Sequence, residues 1–412
     1  MAGVPQPGEE PALPFGFGDL DLNQLLRMLQ SSGPVNWQIA AQVARHVATD
    51  GEAERPIDAG AATELEGLAR AAQTQVVAET GLTATFATTV LTTGRQGWAE
   101  LHLEALRPVL DALATTLGKA FRPPGSEPPA GLEGLGGLEG LSGLEGLGAM
   151  GADPMAALLP MLAPLLLGVQ AGSMIGYLAQ HALGRYDLPL ATADEPSLCF
   201  VIPNLDAFEE SWSLDRTDLR FTVALHEVVH AAMRSVPWVR EHLVTLATDY
   251  VSAYEVDPGV LSSKLGDLDP QDPEALQRLA ERPEELLGAM TSDRQGELLE
   301  RARVFHAVLE GYADEVLGRV GGRLVPSFAR VHEALARHRI ERGEATRFVE
   351  QLLGLTLERE DYERGAAFCA GVVERAGPEA LNRLWEAPRF TPTAPELDAP
   401  GLWLARIDLD LK

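Results

Sequence analysis

Apolar residues recur at intervals of three and four along most of this chain, which is the spacing of one face of an α-helix. The pattern is clear in residues 19–30 and 33–49, and it returns in Thr63–Glu79 and Gly97–Leu117. Helical spacing also dominates the second half of the chain. One short unbroken apolar run, Leu198–Ile202, is the best candidate for a β-strand. We therefore predict a mainly α fold with very little β-sheet.

Composition divides the chain into four regions. Residues 1–14 are rich in proline, glycine and glutamate, so we expect a disordered N-terminus there. Residues 15–121 form an N-terminal helical region. Residues 122–152 contain three copies of Gly-Leu-Glu-Gly-Leu, and this much glycine opposes a stable helix, which predicts a low-complexity linker. Residues 153–412 form the remaining domain, which we expect to pack with the N-terminal helices.

The segment Met155–Gly184 has no acidic or basic residue apart from His181. It is long enough to cross a bilayer, which requires about 20 apolar residues. Pro160 and Pro164 interrupt it, however, and no lysine or arginine lies close before it to set an orientation. We interpret this segment as a buried core helix rather than a transmembrane helix.

The formal net charge of the chain is -27. Nucleic acid and anionic membrane surfaces repel a chain this acidic, so we expect neither as a partner. Its two cysteines do not have the spacing of a disulfide framework or a cysteine-based zinc site. The N-terminus lacks the basic and apolar regions of a secretory signal, so we expect a cytoplasmic protein. The sequence leaves the oligomeric state open.

The stretch ALHEVVHAAMR places His226 and His230 four residues apart, with Glu227 directly after the first histidine. Residues four apart lie on one face of a helix, so both imidazoles can hold one zinc ion from the same side. Glu227 points about 100° away around the helix axis, where it can accept a proton from water that the metal activates. Burial of these groups among apolar neighbours costs on the order of several kcal/mol unless a partner such as a metal is present. We therefore predict a zinc site with Glu227 as the catalytic base.

A catalytic zinc site needs a third protein ligand and an open coordination position. Glu310 and Asp314 lie four residues apart on a predicted downstream helix. We predict Glu310 as the third ligand. We predict that Asp314 accepts a hydrogen bond from a ligand histidine and so acts from outside the coordination sphere. The carboxylates between residues 241 and 315, and His306, remain alternatives for the third ligand.

Glycines mark two features of this second helix. Gly321 and Gly322 predict its C-terminal end. Gly311 lies in the middle of the helix, where glycine costs about 1 kcal/mol relative to alanine. We attribute Gly311 to close packing against the helix that carries the two histidines.

Further stretches of the chain resemble the zincin-like metallopeptidase type 2 family, described as hydrolases of actinobacteria and related bacteria. The resemblance extends over residues 14–406 and is carried by PFGFGDL, SGPVNW, LGRYDLPL, VIPNL, ALHEVVHAAMRSVPWVREH, LEGYADEV, YERGAAF and LWEAP. It implies a mostly helical zincin-like fold with zinc at His226 and His230 and with Glu227 as the base. The match at LEGYADEV supports Glu310 as a ligand. The Gly-Leu-Glu repeat is not a family feature, and we interpret it as a local insertion.

Zincin peptidases usually present a Tyr, His or Arg side chain to the oxygen that gains negative charge in the transition state. The candidates for this role here are Tyr312, Tyr362, His306 and Arg339. Tyr362 opens a predicted helix within the matching stretch YERGAAF, so we favour Tyr362 and keep His306 as an alternative.

The leading hypothesis is a zinc-dependent metallopeptidase, with residues 153–412 as a zincin-like metal-binding domain. In this hypothesis the strand near Val201 aligns an extended peptide substrate by edge pairing. A second hypothesis is a zincin-fold protein that binds a partner without cleaving it. A third is a zinc hydrolase that acts on a small amide. An intact Glu227 favours the two hydrolytic hypotheses, because a structural zinc site needs no base.

Overall fold

The computed structural model of the protein describes residues 33–82, 90–120, 154–188, 190, 192, 196–255, 292–341 and 343–409. Helices predominate in these residues, and the two strands among them are four residues long. The prediction of a mainly α fold with very little β-sheet is confirmed. The predicted N-terminal disorder at 1–14, the helix at 19–30 and the linker at 122–152 lie outside the described residues.

The described elements follow one another along the chain in a single order. They are α1 (Trp37–Ala48), α2 (Ala59–Thr80), β1 (Val90–Thr93), α3 (Arg95–Ala105), α4 (Arg107–Ala120), α5 (Pro154–Ala179), β2 (Leu198–Val201), α6 (Ile202–Trp212), α7 (Arg216–Arg234), α8 (Pro237–Ser252), α9 (Asp293–Leu324), α10 (Phe328–Ile340), α11 (Glu344–Leu353), α12 (Arg359–Ala376), α13 (Pro378–Asn382), α14 (Ala394–Leu397) and α15 (Pro400–Leu409), with 3₁₀ turns at Arg383–Trp385 and Pro388–Phe390.

The predicted helix at Gly97–Leu117 is two helices rather than one. It divides between α3 and α4, with Pro108 as the second residue of α4. Proline has no backbone N–H and its ring clashes with the preceding turn, so a helix cannot run through it without a break. The apolar faces of both halves are still buried, as the helical spacing requires.

The apolar helix α5 packs closely on α1 through glycines on one face. A Cβ atom added at Gly168, Gly172 or Gly176 would lie within 2.7 Å of a backbone carbonyl oxygen of α1 or its N-cap. Only glycine permits this approach of the two backbones. The later part of α5 is buried at Ile175 and Leu178, as expected for a core helix. Among the described helices, none is both long and apolar enough to span a membrane.

Strand β2 is bonded on both of its edges. Strand β1 pairs with it in parallel, from Val90 opposite Leu198 to Thr93 opposite Val201. On the other edge, the segment Leu183–Arg185 runs antiparallel, with hydrogen bonds from Arg185 N–H to the Cys199 carbonyl and from Val201 N–H to the Leu183 carbonyl. The expectation that this strand offers a free edge to a peptide is therefore wrong, because the chain itself occupies both edges.

Helix α7 has a side-chain cap at its start and ends shortly before a proline. The Asp215 side chain accepts hydrogen bonds from the backbone N–H groups of Thr217 and Asp218 and so caps the N-terminus. The helix ends at Arg234, and Pro237 begins α8. A proline disfavours helical geometry in the residue before it, which separates the two helices.

Helix α9 departs from two of the sequence expectations. It does not end at Gly321 and Gly322 but continues to Leu324. Gly321 instead makes room for the ring of Phe328, which would lie 2.3 Å from an added Cβ atom. Gly311 does not pack against α7: its Cβ position is 2.3 Å from the backbone of Gly365, so the close contact is with α12.

Candidate metal centre

The three predicted ligands converge at one buried point between α7 and α9. The rings of His226 and His230 lie side by side on α7, with centroids 4.3 Å apart. The carboxylate of Glu310 faces both rings from α9. Its Oε1 lies 3.5 Å from His230 Nε2, and its Oε2 lies 3.9 Å from His226 Nε2. One donor atom from each of the three residues lies within 4.8 Å of the other two.

The histidine nitrogens that face Glu310 are suited to hold a metal. Nε2 of His226 and Nε2 of His230 are both buried, and neither has a hydrogen-bond partner among the described residues. A buried polar atom without a partner costs free energy, so two such atoms beside a carboxylate need an explanation. Two imidazoles and one carboxylate are the donor set of many catalytic zinc sites. The residues present therefore fit a zinc ion.

One contact of His230 differs from the usual surroundings of a metal-bound histidine. Its Nδ1 lies 2.8 Å from the guanidinium of Arg234, which can only donate a hydrogen bond. A ligand histidine usually donates from this nitrogen to an oxygen. A neutral ring that accepts at Nδ1 carries its proton on Nε2. Nε2 can bind a metal only after that proton leaves it, and the ring stays neutral only if Nδ1 takes up a proton, which requires Arg234 to turn away.

Glu227 is held by the backbone of the segment that lies along β2. Its Oε2 accepts a hydrogen bond of 2.8 Å from Arg185 N–H, and its Oε1 accepts one of 2.9 Å from Tyr186 N–H. Gly184 makes this approach feasible, because an added Cβ atom there would lie 2.5 Å from the Glu227 carboxyl carbon. Burial raises the pKa of Glu227, and the hydrogen bonds it accepts oppose that rise. A carboxylate with a raised pKa takes up a proton more readily, as a general base must.

Glu310 is held from its other side by Arg339 of α10. The Arg339 guanidinium donates to Glu310 Oε2 at 3.0 Å, and both side chains are almost fully buried. Burial alone would raise the pKa of Glu310, but His230, His226 and Arg339 together hold it well below the usual range. Glu310 is therefore ionised at neutral pH, as a metal ligand must be.

The sequence pattern of zincin-like metallopeptidases matches residues 35–404, which is most of the chain. The chain belongs to the zincin-like metallopeptidase family. The resemblance seen in the sequence is thus confirmed. A crystal structure from Chloroflexus aurantiacus, of a candidate hydrolase with a novel fold, is similar, with a TM-score of 0.58 and 25% identity over 91% of this chain and 99% of that chain. Among curated proteins, none matches.

In this member of the zincin-like metallopeptidase family, Asp314 contacts Arg339, which in turn holds Glu310, and does not contact His226 or His230. Its Oδ1 accepts a hydrogen bond of 2.9 Å from the same guanidinium that holds Glu310. Among the described residues, the imidazole that approaches Asp314 Oδ1 is that of His332, at 3.7 Å. Asp314 thus stays outside the predicted coordination sphere, but its hydrogen-bond partner is Arg339 and not the ligand histidine expected from the sequence.

The candidates for the transition-state helper lie in different places. Tyr312 is fully buried and donates a hydrogen bond to Asn382, 2.7 Å away, on the far side of α9 from the site. His306 bonds within α9, with Nδ1 2.8 Å from the Ala302 carbonyl, and it is not one of the three converging residues. The Tyr362 ring lies 5.6 Å from the Arg339 guanidinium, which brings it near the site.

A small cavity of about 20 Å³ adjoins His226, one of the three converging side chains. Its polar lining, among the described residues, consists of Asp187, His226, Glu227, His332 and Arg339. A cavity of this size has room for about one water molecule. The arrangement thus leaves room for one water molecule beside the predicted ligand His226 and the predicted base Glu227.

Sequence reasoning missed His332 in this lining, although a signal for it exists. His332, Leu335 and Arg339 line the cavity together and recur at intervals of three and four along α10. That spacing defines one helix face. Without the fold, however, nothing in the sequence shows that this face meets α7 and α9.

Proposed function

We propose that the chain is a zinc-dependent hydrolase that cleaves amide bonds, with His226, His230 and Glu310 as ligands and Glu227 as the general base. The observation that supports it best is the convergence of two unpartnered histidine nitrogens and one carboxylate beside a cavity that Glu227 also lines. A structural zinc site needs no base and usually fills all four coordination positions with protein ligands.

Each residue of the proposed site has a separate task. Zinc bound here would supply a Lewis acid and lower the pKa of a neighbouring water molecule. Glu227 removes a proton from the attacking water, and the backbone N–H groups of Arg185 and Tyr186 keep its carboxylate in one orientation. Arg339 holds one oxygen of Glu310 and leaves the other directed at His230.

The size of the substrate separates two versions of this proposal. The family name favours a peptide, because the relatives that define it are metallopeptidases. The cavity of about 20 Å³ has room for about one water molecule, so the surrounding side chains must move to admit either substrate, and they must move less for a small amide. The second hypothesis, binding without cleavage, is supported by the engagement of both Glu227 oxygens with backbone N–H groups.

The test is hydrolysis by zinc-loaded protein of two substrate sets, a diverse peptide library and a panel of small amides. We expect cleavage in one set, abolished by a chelator and restored by added zinc. Glu227→Gln serves as the control for contaminating proteases, and its zinc content must equal that of the wild type. Zinc binding without cleavage in either set would favour the binding protein over the hydrolase. Failure to bind zinc at all would refute the site itself.

A further inference from the structure

Arg339 connects two carboxylates of α9 that would otherwise repel each other. Glu310 and Asp314 lie one turn apart on the same helix face, where like charges destabilise a helix. The Arg339 guanidinium donates to Glu310 Oε2 at 3.0 Å and to Asp314 Oδ1 at 2.9 Å. It also lies over the ring of Tyr362, 5.6 Å from the ring centroid. These contacts fix a guanidinium that is only 8% exposed.

The position of Arg339 makes the two oxygens of Glu310 unequal. Oε2 accepts a charge-assisted hydrogen bond from the guanidinium, whereas Oε1 is the oxygen nearest to His230 Nε2. An oxygen whose electron pair already binds a guanidinium proton is the poorer donor to a metal. Oε1 is therefore the oxygen that a metal held by His226 and His230 would meet.

We infer that Arg339 is a positioning residue that makes Glu310 bind metal through one oxygen only, an inference that rests on the proposed zinc site. A carboxylate that binds through both oxygens would occupy two coordination positions. Binding through Oε1 alone keeps one position for water or substrate, as a catalytic site requires. Asp314 and Tyr362 contribute by holding the guanidinium in place.

Cobalt(II) in place of zinc provides a test without a substrate, because its visible absorption weakens when the coordination number rises above four. In Arg339→Met, both oxygens of Glu310 become free to bind, which together with two histidine nitrogens and a retained water gives five ligand atoms. We expect the absorption of the cobalt-loaded protein to fall, and cobalt affinity, measured by competition with a chelator, to drop by about 10- to 100-fold. Asp314→Asn should change both quantities in the same direction by a smaller factor.

Two further variants control for general damage. Arg337→Met removes an arginine from the same helix whose ion pair with Glu333 lies at the surface, so spectrum and affinity should remain those of the wild type. Arg339→Lys keeps the positive charge, but one ammonium cannot donate hydrogen bonds to Glu310 and Asp314 in the fixed planar geometry of a guanidinium. It should fold even if Arg339→Met does not, and it should show the weakened absorption.

The outcomes distinguish the role of Arg339 from the proposed zinc site on which it rests. Weakened absorption in the Arg339 variants, with an unchanged spectrum in Arg337→Met, supports the inference. Cobalt-loaded Arg339→Lys with the wild-type spectrum and affinity overturns the inference and leaves the zinc site intact. A wild-type protein that binds neither cobalt nor zinc overturns the proposed function, and the role of Arg339 with it.

Discussion

The sharpest prediction concerns two buried glutamates that we assign to different tasks. Glu310 and Glu227 are both nearly inaccessible to solvent and both lie beside His226. We propose to replace each with glutamine, which keeps the shape of the side chain and removes its charge. If Glu310 is a ligand and Glu227 is a base, zinc should affect the stability of the two variants differently.

For Glu310→Gln the expected change follows from the loss of one ligand out of three. We expect the dissociation constant for zinc to rise at least a hundredfold, which corresponds to about 2.7 kcal/mol. At a free zinc concentration of about 1,000 times the wild-type dissociation constant, zinc stabilises the wild type by about 4.1 kcal/mol. The same concentration is then only about ten times the dissociation constant of the variant, and the stabilisation falls to about 1.4 kcal/mol.

For Glu227→Gln the structure predicts a loss of stability that zinc does not change. The carboxylate accepts one backbone N–H at each oxygen, from Arg185 and from Tyr186. A glutamine has a single acceptor oxygen, so its NH₂ group must face one of these two donors. A buried donor left without an acceptor costs about 1–3 kcal/mol. This cost applies equally with and without zinc, so the zinc-dependent stabilisation should equal that of the wild type.

The assay is thermal unfolding of the three proteins with a chelator and with a fixed excess of free zinc, together with zinc affinity by competition. The informative quantity is the zinc-dependent shift in melting temperature of each protein, because it removes the metal-independent cost of the substitution. A large shift in Glu310→Gln and none in Glu227→Gln would reverse our assignment. Equal shifts in all three proteins would exclude both glutamates as ligands.

Two further predictions concern stability. Gly311→Ala should destabilise the protein by about 1–3 kcal/mol, because the added Cβ atom would lie 2.3 Å from the backbone of Gly365. The control is Gly318→Ala on the same helix, which meets open space and should gain up to about 1 kcal/mol of stability. Similar melting temperatures for the two variants would contradict this packing. In the metal-free protein, burial opposes protonation of His226, but attraction to the carboxylates of Glu227 and Glu310, 3.8 and 3.9 Å away, prevails and raises its pKa from 6.5 to about 9. A raised pKa gives stability that is complete below pH 6.5 and is lost as the pH rises through about 9. The melting temperature of the metal-free wild type should fall across that window, and a fall of equal size in His226→Ala would disprove the contribution of this histidine.

The ligands on α7 could be predicted from the sequence because the relevant geometry is local. Residues four apart meet on a helix whatever the rest of the chain does, so the spacing of His226 and His230 already determines how their rings lie. Glu310 required one further assumption, that a second helix crosses the first, and the family resemblance supplied it. The assignment of Zn²⁺ and of these site residues stays a prediction that the experiments above test.

The surroundings of the ligands could not be predicted, because they depend on contacts between distant parts of the chain. Arg339 is 29 residues from Glu310, and nothing in its own helix marks it as different from Arg337. The groups that hold Glu227 are backbone N–H groups, which every residue except proline has, so no side-chain pattern reveals them. The direction of the Gly311 contact was wrong for the same reason: a mid-helix glycine indicates a close neighbour but not which helix it belongs to.

These unpredicted contacts have a common consequence for the candidate metal centre. Each of its two carboxylates has a partner from outside the α7–α9 pair: Glu227 accepts hydrogen bonds from the backbone beside β2, and Glu310 accepts one from the guanidinium on α10. That backbone segment is in turn bonded to the edge of β2, where a peptide substrate would otherwise pair. The same contacts that orient the predicted base therefore remove one route by which a peptide could be aligned.

If the protein cleaves peptides, it must bind them by another surface or displace this segment, and displacement would release Glu227 from both of its hydrogen bonds. Peptide cleavage and an ordered Glu227 thus compete if the substrate binds along β2, whereas a small amide that enters beside His226 without displacing this segment leaves both hydrogen bonds of Glu227 in place.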